Sequence, residues 1–295
     1  NLEVVHTGSL GLDKALGVFG LPFGRIVETI GPEGSGKSSL AIHVVKEAQK
    51  DNVATAYIDA EHAMDVCLMQ NMGIDINSII FNQPSSGNEA LEIIRMLIDG
   101  IGKIVIVVDS VASLVPQEEI EGDMGSQFMG LQARMMSQAL RQLAGLIGDK
   151  GAIVIFVNQL REKIGIKFGN PETSPGGRAL KFYASIRLDV RAIGQLKDTN
   201  GNHYGHRVKV KVLKNKVSAP FKEAEFDLIY GKGIDTIGEL IDLACEYKII
   251  DKSGVWLSYK ENRLGQGREK AKEFLNQNDD VKEEIKKLVM EKIYV

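Results

Sequence analysis

Cysteine is scarce: Cys67 and Cys245 are the only two in 295 residues, and neither sits in a Cys-x-x-Cys pair. That excludes a disulfide framework or a cysteine-built zinc site and fits a reducing compartment. No apolar run approaches the roughly 20 residues that a helix needs to cross a bilayer, so no membrane partner is expected. The opening Asn1-Leu2-Glu3-Val4-Val5 carries no signal-peptide pattern, and the expected location is the cytoplasm. It also opens without Met, as a trimmed or incomplete N-terminus would. Positive charge is not in excess: the net charge is −3, which argues against a globally basic nucleic-acid binder but leaves room for a local basic surface. Internal repeats and low-complexity segments are absent. The 44% hydrophobic and 25% charged composition is ordinary for a globular protein, and the length accommodates one large core plus a smaller domain.

What is present begins with Gly31-Pro32-Glu33-Gly34-Ser35-Gly36-Lys37-Ser38, a G-x-x-x-x-G-K-[ST] phosphate loop. The glycines let successive backbone N–H groups turn inward as an anion nest, and the following helix adds the positive end of its dipole. In such a loop the Lys37 ammonium reaches the β/γ-phosphates and the Ser38 hydroxyl ligands Mg²⁺. The bland alternative is a glycine turn between a strand and a helix. Context favours the loop. Arg25–Ile30 reads as a strand, and Leu40, Ala41, Val44, Val45 and Ala48 recur at helical spacing.

Three further strands end in polar residues, at the edge of an open α/β sheet where ligands sit. Val53–Ile58 runs into Asp59-Ala60-Glu61-His62, so Glu61 is placed to activate a water, while His62 reads equally as a structural histidine. Lys103–Val108 ends in Asp109, the expected second anchor for Mg²⁺. Ala152–Val157 ends in Asn158-Gln159, amides able to sense a γ-phosphate.

The remaining text is organisational. Residues 116–130 read as a glycine-rich loop, and Leu131, Met135, Ala139, Leu143 and Ile147 as one helical face. Residues 160–178 have no periodicity and carry Arg161, Lys163, Lys167 and Arg178, the pattern of a functional loop. From Phe182 the pattern turns to strands, with His206–Leu213 alternating as a half-exposed one. After Gly231-Lys232-Gly233 the spacing predicts a helix over 236–247, a short strand and two closing helices, the last with Asp280 and Glu283 at capping-box spacing.

Specific runs then narrow the reading: the phosphate loop, Ile58-Asp-Ala-Glu-His-Ala63, Val107-Val-Asp-Ser-Val111, Met129-Gly-Leu-Gln-Ala-Arg-Met-Met-Ser-Gln138, Phe168-Gly-Asn-Pro-Glu-Thr173 and Ala179-Leu-Lys-Phe-Tyr-Ala184. Over essentially its whole length the chain resembles the bacterial RecA recombinases. The resemblance implies an α/β fold: a RecA-like phosphate-loop ATPase core (1–233) with a mostly parallel central sheet flanked by helices, plus a small α+β C-terminal domain (234–295). It implies ATP and Mg²⁺ as cofactors and single- and double-stranded DNA as partners. It further implies a homo-oligomeric helical filament and work in strand exchange, DNA repair and the SOS response. By the same resemblance, Glu61 positions the hydrolytic water, Gln159 couples ATP to the DNA loop, and Lys37 completes the catalytic set. The nucleotide set is Gly31, Pro32, Glu33, Gly34, Ser35, Gly36, Lys37, Ser38, Ser39, Asp65, Leu68 and Asp109, joined by Lys214 and Lys216 from the neighbouring subunit; Ser38 and Asp109 hold the metal. The DNA-binding set is Met129, Arg134, Arg161, Lys163, Ile164, Gly165, Gly176 and Gly177, within and beside loops 122–130 and 160–174. These loops are expected to be disordered without DNA.

Departures from the family pattern bear on nucleotide affinity and filament stability. Leu68 stands where a Tyr usually stacks on adenine, and Val66 replaces a Pro. The family's N-terminal docking helix and strand and its acidic C-terminal tail have no counterpart in this sequence. Rival readings are a helicase- or clock-type ATPase on the same fold and a non-enzymatic ATP switch. A second phosphate loop is missing for the clock type, and Glu61 with Asp109 speaks against a mere switch. A GTPase lacks its N-K-x-D motif, since Asn215-Lys216-Val217-Ser218 ends in Ser.

Overall fold

The computed structural model describes residues 2–123, 128, 130–162, 172–173 and 175–294, the side chains of 161, 162, 172 and 173 excepted. Its centre is a nine-stranded sheet. In chain order the strands are β1 (Arg25–Gly31), β2 (Ala54–Asp59), β3 (Ile79–Asn82), β4 (Ile104–Asp109), β5 (Ile153–Gln159), β6 (Ile186–Lys197), β7 (His203–Asn215), β8 (Glu223–Ile229) and β9 (Gly233–Ile234). They lie in the order β3-β2-β4-β5-β1-β6-β7-β8-β9. Strands β3 to β6 in that order run parallel, and β7, β8 and β9 extend the sheet antiparallel.

Continuous β-branched runs make the parallel strands apolar on both faces, as strands covered on both sides must be. Alternate residues then serve two cores. Val27, Tyr57, Val105, Val107 and Ile155 face the phosphate-loop helix α2 (Lys37–Lys50), with Leu40, Ala41, Val44, Val45 and Ala48 packed against them. Ile26, Ile58, Ile106, Val108 and Phe156 face α4 (Gly87–Ile101) and α6 (Leu131–Lys150) on the other side. Phe156 is fully buried, and removing such a side chain from water is worth roughly 1.5–3 kcal/mol.

The buried line of α6 is Met136, Leu140, Leu143 and Ile147; it shares Leu143 and Ile147 with the predicted face and shifts by one residue, from Met135 and Ala139, nearer the N-terminus. Met135 and Ala139 lie at its rim, half-buried. A short α1 (Leu10–Leu16) precedes the sheet, and the Ser9 hydroxyl caps it by accepting from Leu12 N–H. Three short helices fall where no helix was predicted: α3 (Val66–Asn71), α5 (Gln117–Glu121), inside the stretch read as loop, and α7 (Ala179–Tyr183). Each spans fewer than seven residues, too short for periodicity to register.

The C-terminal elements form a third core. Helices α8 (Thr236–Glu246), α9 (Gly267–Gln277) and α10 (Asp279–Ile293) pack with a three-stranded antiparallel sheet of β10 (Asp251–Ser253), β11 (Trp256–Tyr259) and β12 (Asn262–Gln266). The predicted capping box at Asp280 does not form. The N-cap of α10 is Asn278, whose amide donates to Phe274 O instead, so Asp280 already lies inside the helix.

Two polar clusters join this unit to the rest of the chain, one at α1 and one at the sheet. The fully buried Glu239 of α8 accepts from Ser9 Oγ (2.5 Å), Leu10 N and Gly11 N, closing the N-terminus of α1, and burial pushes its carboxyl up to about 7. Arg207 and Arg268 share Asp227 and Asp242 between β7, β8, α8 and α9.

Candidate nucleotide and DNA site

The register aligns Gly31 with Gln159, Asp109 with Val157, and Asp59 with Asp109. The polar ends of β1, β5, β4 and β2 therefore meet along one edge. From Gly31 the chain leaves β1 through Pro32–Gly36 and enters α2. Gly34 and Gly36 hold φ of 69° and 100°, conformations that suit glycine. Gly31 is required for space: a Cβ there would sit 2.2 Å from Val190 O.

Lys37 is almost fully buried, and its Nζ donates to Pro32 O at 2.6 Å. Burial lowers its pKa, while the charges of Asp109, Glu61 and Glu33 oppose that shift. Ser38 Oγ and Tyr57 OH both donate to Asp109 Oδ2 at 2.6 Å. Burial raises the Asp109 pKa, opposed by these two hydrogen bonds and reinforced by Glu61 and Asp59. A serine hydroxyl and a carboxylate crowded by other carboxylates form an oxygen donor set that suits a hard cation. Among the described residues no group of three or more His, Cys, Asp or Glu is placed to hold a metal ion by itself, so phosphate and water oxygens would have to fill the rest of such a shell.

Glu61 occupies a built turn rather than a free loop. The N–H groups of Ala60 and Glu61 donate to Asp109 O, and Asp59 accepts from Ala63 N, Met64 N and Gln83 Nε2. The Glu61 carboxylate accepts from Ser110 Oγ and, at 3.0 Å, from Gln159 Nε2. His62 takes the structural role, its Nε2 bonding Pro84 O at 2.9 Å. Asn158, beside Gln159, is buried and donates to Glu28 and to Pro175 O.

A cavity of about 290 Å³ opens beside the loop. Gly34 to Ser39 line it together with Leu68, His206 and Tyr230. Pro32 and Glu33 are exposed on the outer turn. Asp65 is exposed and caps α3, accepting from Cys67 N–H, and so orients the helix that carries Leu68. Sequence reasoning missed Tyr230 and His206. Tyr230 keeps 55% of its surface exposed and offers an aromatic face at the cavity where Leu68 does not. The Gly231-Lys-Gly233 turn was the available signal. By pattern alone that turn marks only a boundary.

Lys214 and Lys216 are not brought to this cavity. Lys214 pairs with Arg187, which pairs with Glu28, three residues before Gly31, or roughly 10 Å down the strand. Lys214 Nζ donates to the carbonyls of Lys181 and Phe182, and Lys216 lies over the exposed Phe182 ring.

Of the DNA-binding candidates, Met129, Lys163, Ile164, Gly165 and the Arg161 side chain lie outside the described residues, as does most of the segment expected to be disordered. Arg134 is exposed on the first turns of α6. Gly176 and Gly177 both hold positive φ, and Cβ atoms there would press on Val111 and Ala133. They therefore seat the returning chain between the end of β4 and the start of α6.

Comparison with known proteins agrees with this geometry. The RecA N-terminal domain family matches residues 1–235, and the RecA C-terminal domain family matches residues 238–294. The Protein RecA of Caldanaerobacter subterraneus subsp. tengcongensis is 55% identical, across 99% of this chain and 85% of that protein. That of Salinispora tropica is 55% identical across 99% and 84%, and that of Bifidobacterium breve 56% across 98% and 74%. With a phosphate loop, strand-end acids and matches over nearly every residue, this chain belongs to the RecA family.

Proposed function

We propose that this chain binds ATP between Gly31 and Ser39, hydrolyses it with Glu61 directing the water, and uses the cycle to assemble copies of itself on single-stranded DNA. Membership of the RecA family makes it a DNA-dependent ATPase of homologous recombination and repair. The finer reading is pairing and strand exchange with homologous duplex, including the SOS response, in the cytoplasm. No helix among the described residues is long and apolar enough to cross a membrane.

The roles follow the chemistry of each group. The backbone N–H groups of Gly34, Gly36 and Lys37 grip phosphate oxygens, and the Lys37 ammonium neutralises charge between them. Ser38 and Asp109 would hold Mg²⁺, which supplies charge neutralisation at the phosphates. Glu61, fixed by Ser110 and Gln159, orients the attacking water. Asp65, Leu68 and Tyr230 flank the base. Lys214 and Lys216 serve the neighbouring copy's nucleotide.

For DNA, Arg161, Lys163 and Arg134 supply phosphate contacts, and Gly165, Gly176 and Gly177 give backbone access and seat the loop. Met129 and Ile164 act as wedges between bases. The ATPase unit takes 1–233 and the small unit 234–295.

The observation that carries this reading is the 3.0 Å hydrogen bond from Gln159 to Glu61. On this reading it ties the water-directing acid to the residue just before segment 160–174, so that one side chain would serve both nucleotide state and DNA contact. Electron microscopy of the chain with single-stranded DNA and a slowly hydrolysed ATP analogue tests it. A regular helical filament is expected. Single particles at every nucleotide and DNA concentration would refute assembly.

A further inference from the structure

Strand β7 alternates by chemistry. Arg207, Lys209 and Lys211 point to one face, where Lys209 meets Glu223 at 2.6 Å, and Val208, Val210 and Val212 are buried on the other. The first residue of the buried row is His206, an imidazole where the row continues with valine. It is 7% exposed. Its ring is tilted against Tyr230 at 5.7 Å between centroids, and its Nε2 lies 3.6 Å from where a Cβ on Gly36 would stand. His206 thus bridges the aromatic and phosphate sides of the cavity.

Its Nε2 has no partner at hydrogen-bonding geometry, and neither has the buried Ser35 Oγ across the same turn. A buried donor left unmet is costly, so it marks a place that another state of the site satisfies. Burial lowers the His206 pKa, and the nearby Ser35 backbone, the acceptor closest to making that bond, opposes the shift. In a trans peptide the carbonyl of Ser35 and the N–H of Gly36 point in opposite directions. A donor drawn to the carbonyl therefore turns that N–H into the loop.

We propose that His206 is a positioning residue of the nucleotide site: its Nε2–H engages the Ser35 carbonyl when a phosphate fills the loop and holds the Gly36 N–H on that phosphate. This rests on the nucleotide reading above. The groups facing His206 are few. Lys37 is the charged side chain lining the cavity with it, the Tyr230 phenol lies on its flank, and its strand partners Leu228 and Gln195 are uncharged. Burial keeps the imidazole neutral near pH 7, and a bound anion favours its protonated form, a stronger donor. Affinity for nucleotide therefore rises as pH falls, by an increment that belongs to His206.

The test is titration of a fluorescent ADP with the full chain at pH 8.0, 6.5 and 5.5, for the wild type, His206→Leu and His206→Gln, with an unfolding midpoint for each. Leu fills the space without a donor, and Gln retains an N–H. His206→Leu is expected to bind about tenfold more weakly, and His206→Gln to recover most of that loss. Both variants should gain less affinity than the wild type between pH 8.0 and 5.5, which cancels the titration of the nucleotide's own phosphate. Where the Leu variant melts early, the Gln variant and the pH increment decide. Wild-type affinity and an unchanged pH increment in folded His206→Leu would overturn the proposal, as would a folded His206→Gln no better than Leu. A wild-type chain that binds no ADP would instead overturn the nucleotide reading on which the proposal stands.

Discussion

Glu61→Gln keeps ATP bound and loses most of its hydrolysis, a fall in turnover of about 10²- to 10⁴-fold. The substitution preserves shape. The Gln carbonyl still accepts from Gln159 Nε2, and the turn is held by Asp59 and by backbone bonds to Asp109 O rather than by the Glu61 carboxylate. What disappears is the negative oxygen that orients a water and takes its proton. Lys37→Ala separates the other half of the site. Its buried ammonium is placed to balance charge on the phosphates, so its loss weakens binding itself. Nucleotide titration beside steady-state turnover distinguishes the two. Near-normal turnover in Glu61→Gln would remove Glu61 from the chemistry.

Joint replacement of Lys214 and Lys216 by Ala abolishes the DNA-stimulated part of hydrolysis while a single subunit still binds nucleotide almost normally. Lys214 lies half-buried at the end of β7, about three residues of strand below the loop in register, and the exposed Lys216 follows just beyond the strand. Within one chain they cannot serve the cavity. Burial lowers the Lys214 pKa, and the charges of Lys216 and Arg187 add to the effect. Cations gathered beside the exposed Phe182 suit a surface that meets another copy's nucleotide. On the proposed reading, nucleotide lies between copies and cements them. The check compares turnover with and without DNA against binding to monomer at low protein concentration. Equal loss of both would indicate a fold defect.

Much of this was legible in the residues. The phosphate loop is local, so eight consecutive residues specify backbone and chemistry together. Asp109, Glu61 and Gln159 stand out in the sequence because each lies at or just beyond the end of an apolar strand, and a parallel sheet must bring such ends together. The alternation of β7 was visible because its two faces differ in solvent. Legibility failed where partners are distant. Tyr230 and His206 reach the cavity only through the antiparallel strands, whose order across the sheet no local pattern encodes. Asp59 carries the turn under Glu61, and Tyr57 bonds Asp109; in the sequence Tyr57 reads only as a strand residue and Asp59 only as one of the strand-end acids. At Asp280 the spacing of a capping box was present, but the helix begins earlier, at Asp279, after the Asn278 N-cap.

The measurement that bears most directly on the central claim is ATP turnover by the full chain with and without single-stranded DNA, in Mg²⁺. Coupling through Gln159 predicts that DNA raises turnover many-fold, that the increase falls steeply with added salt, and that Glu61→Gln erases it. Turnover that is the same with and without DNA would contradict the account.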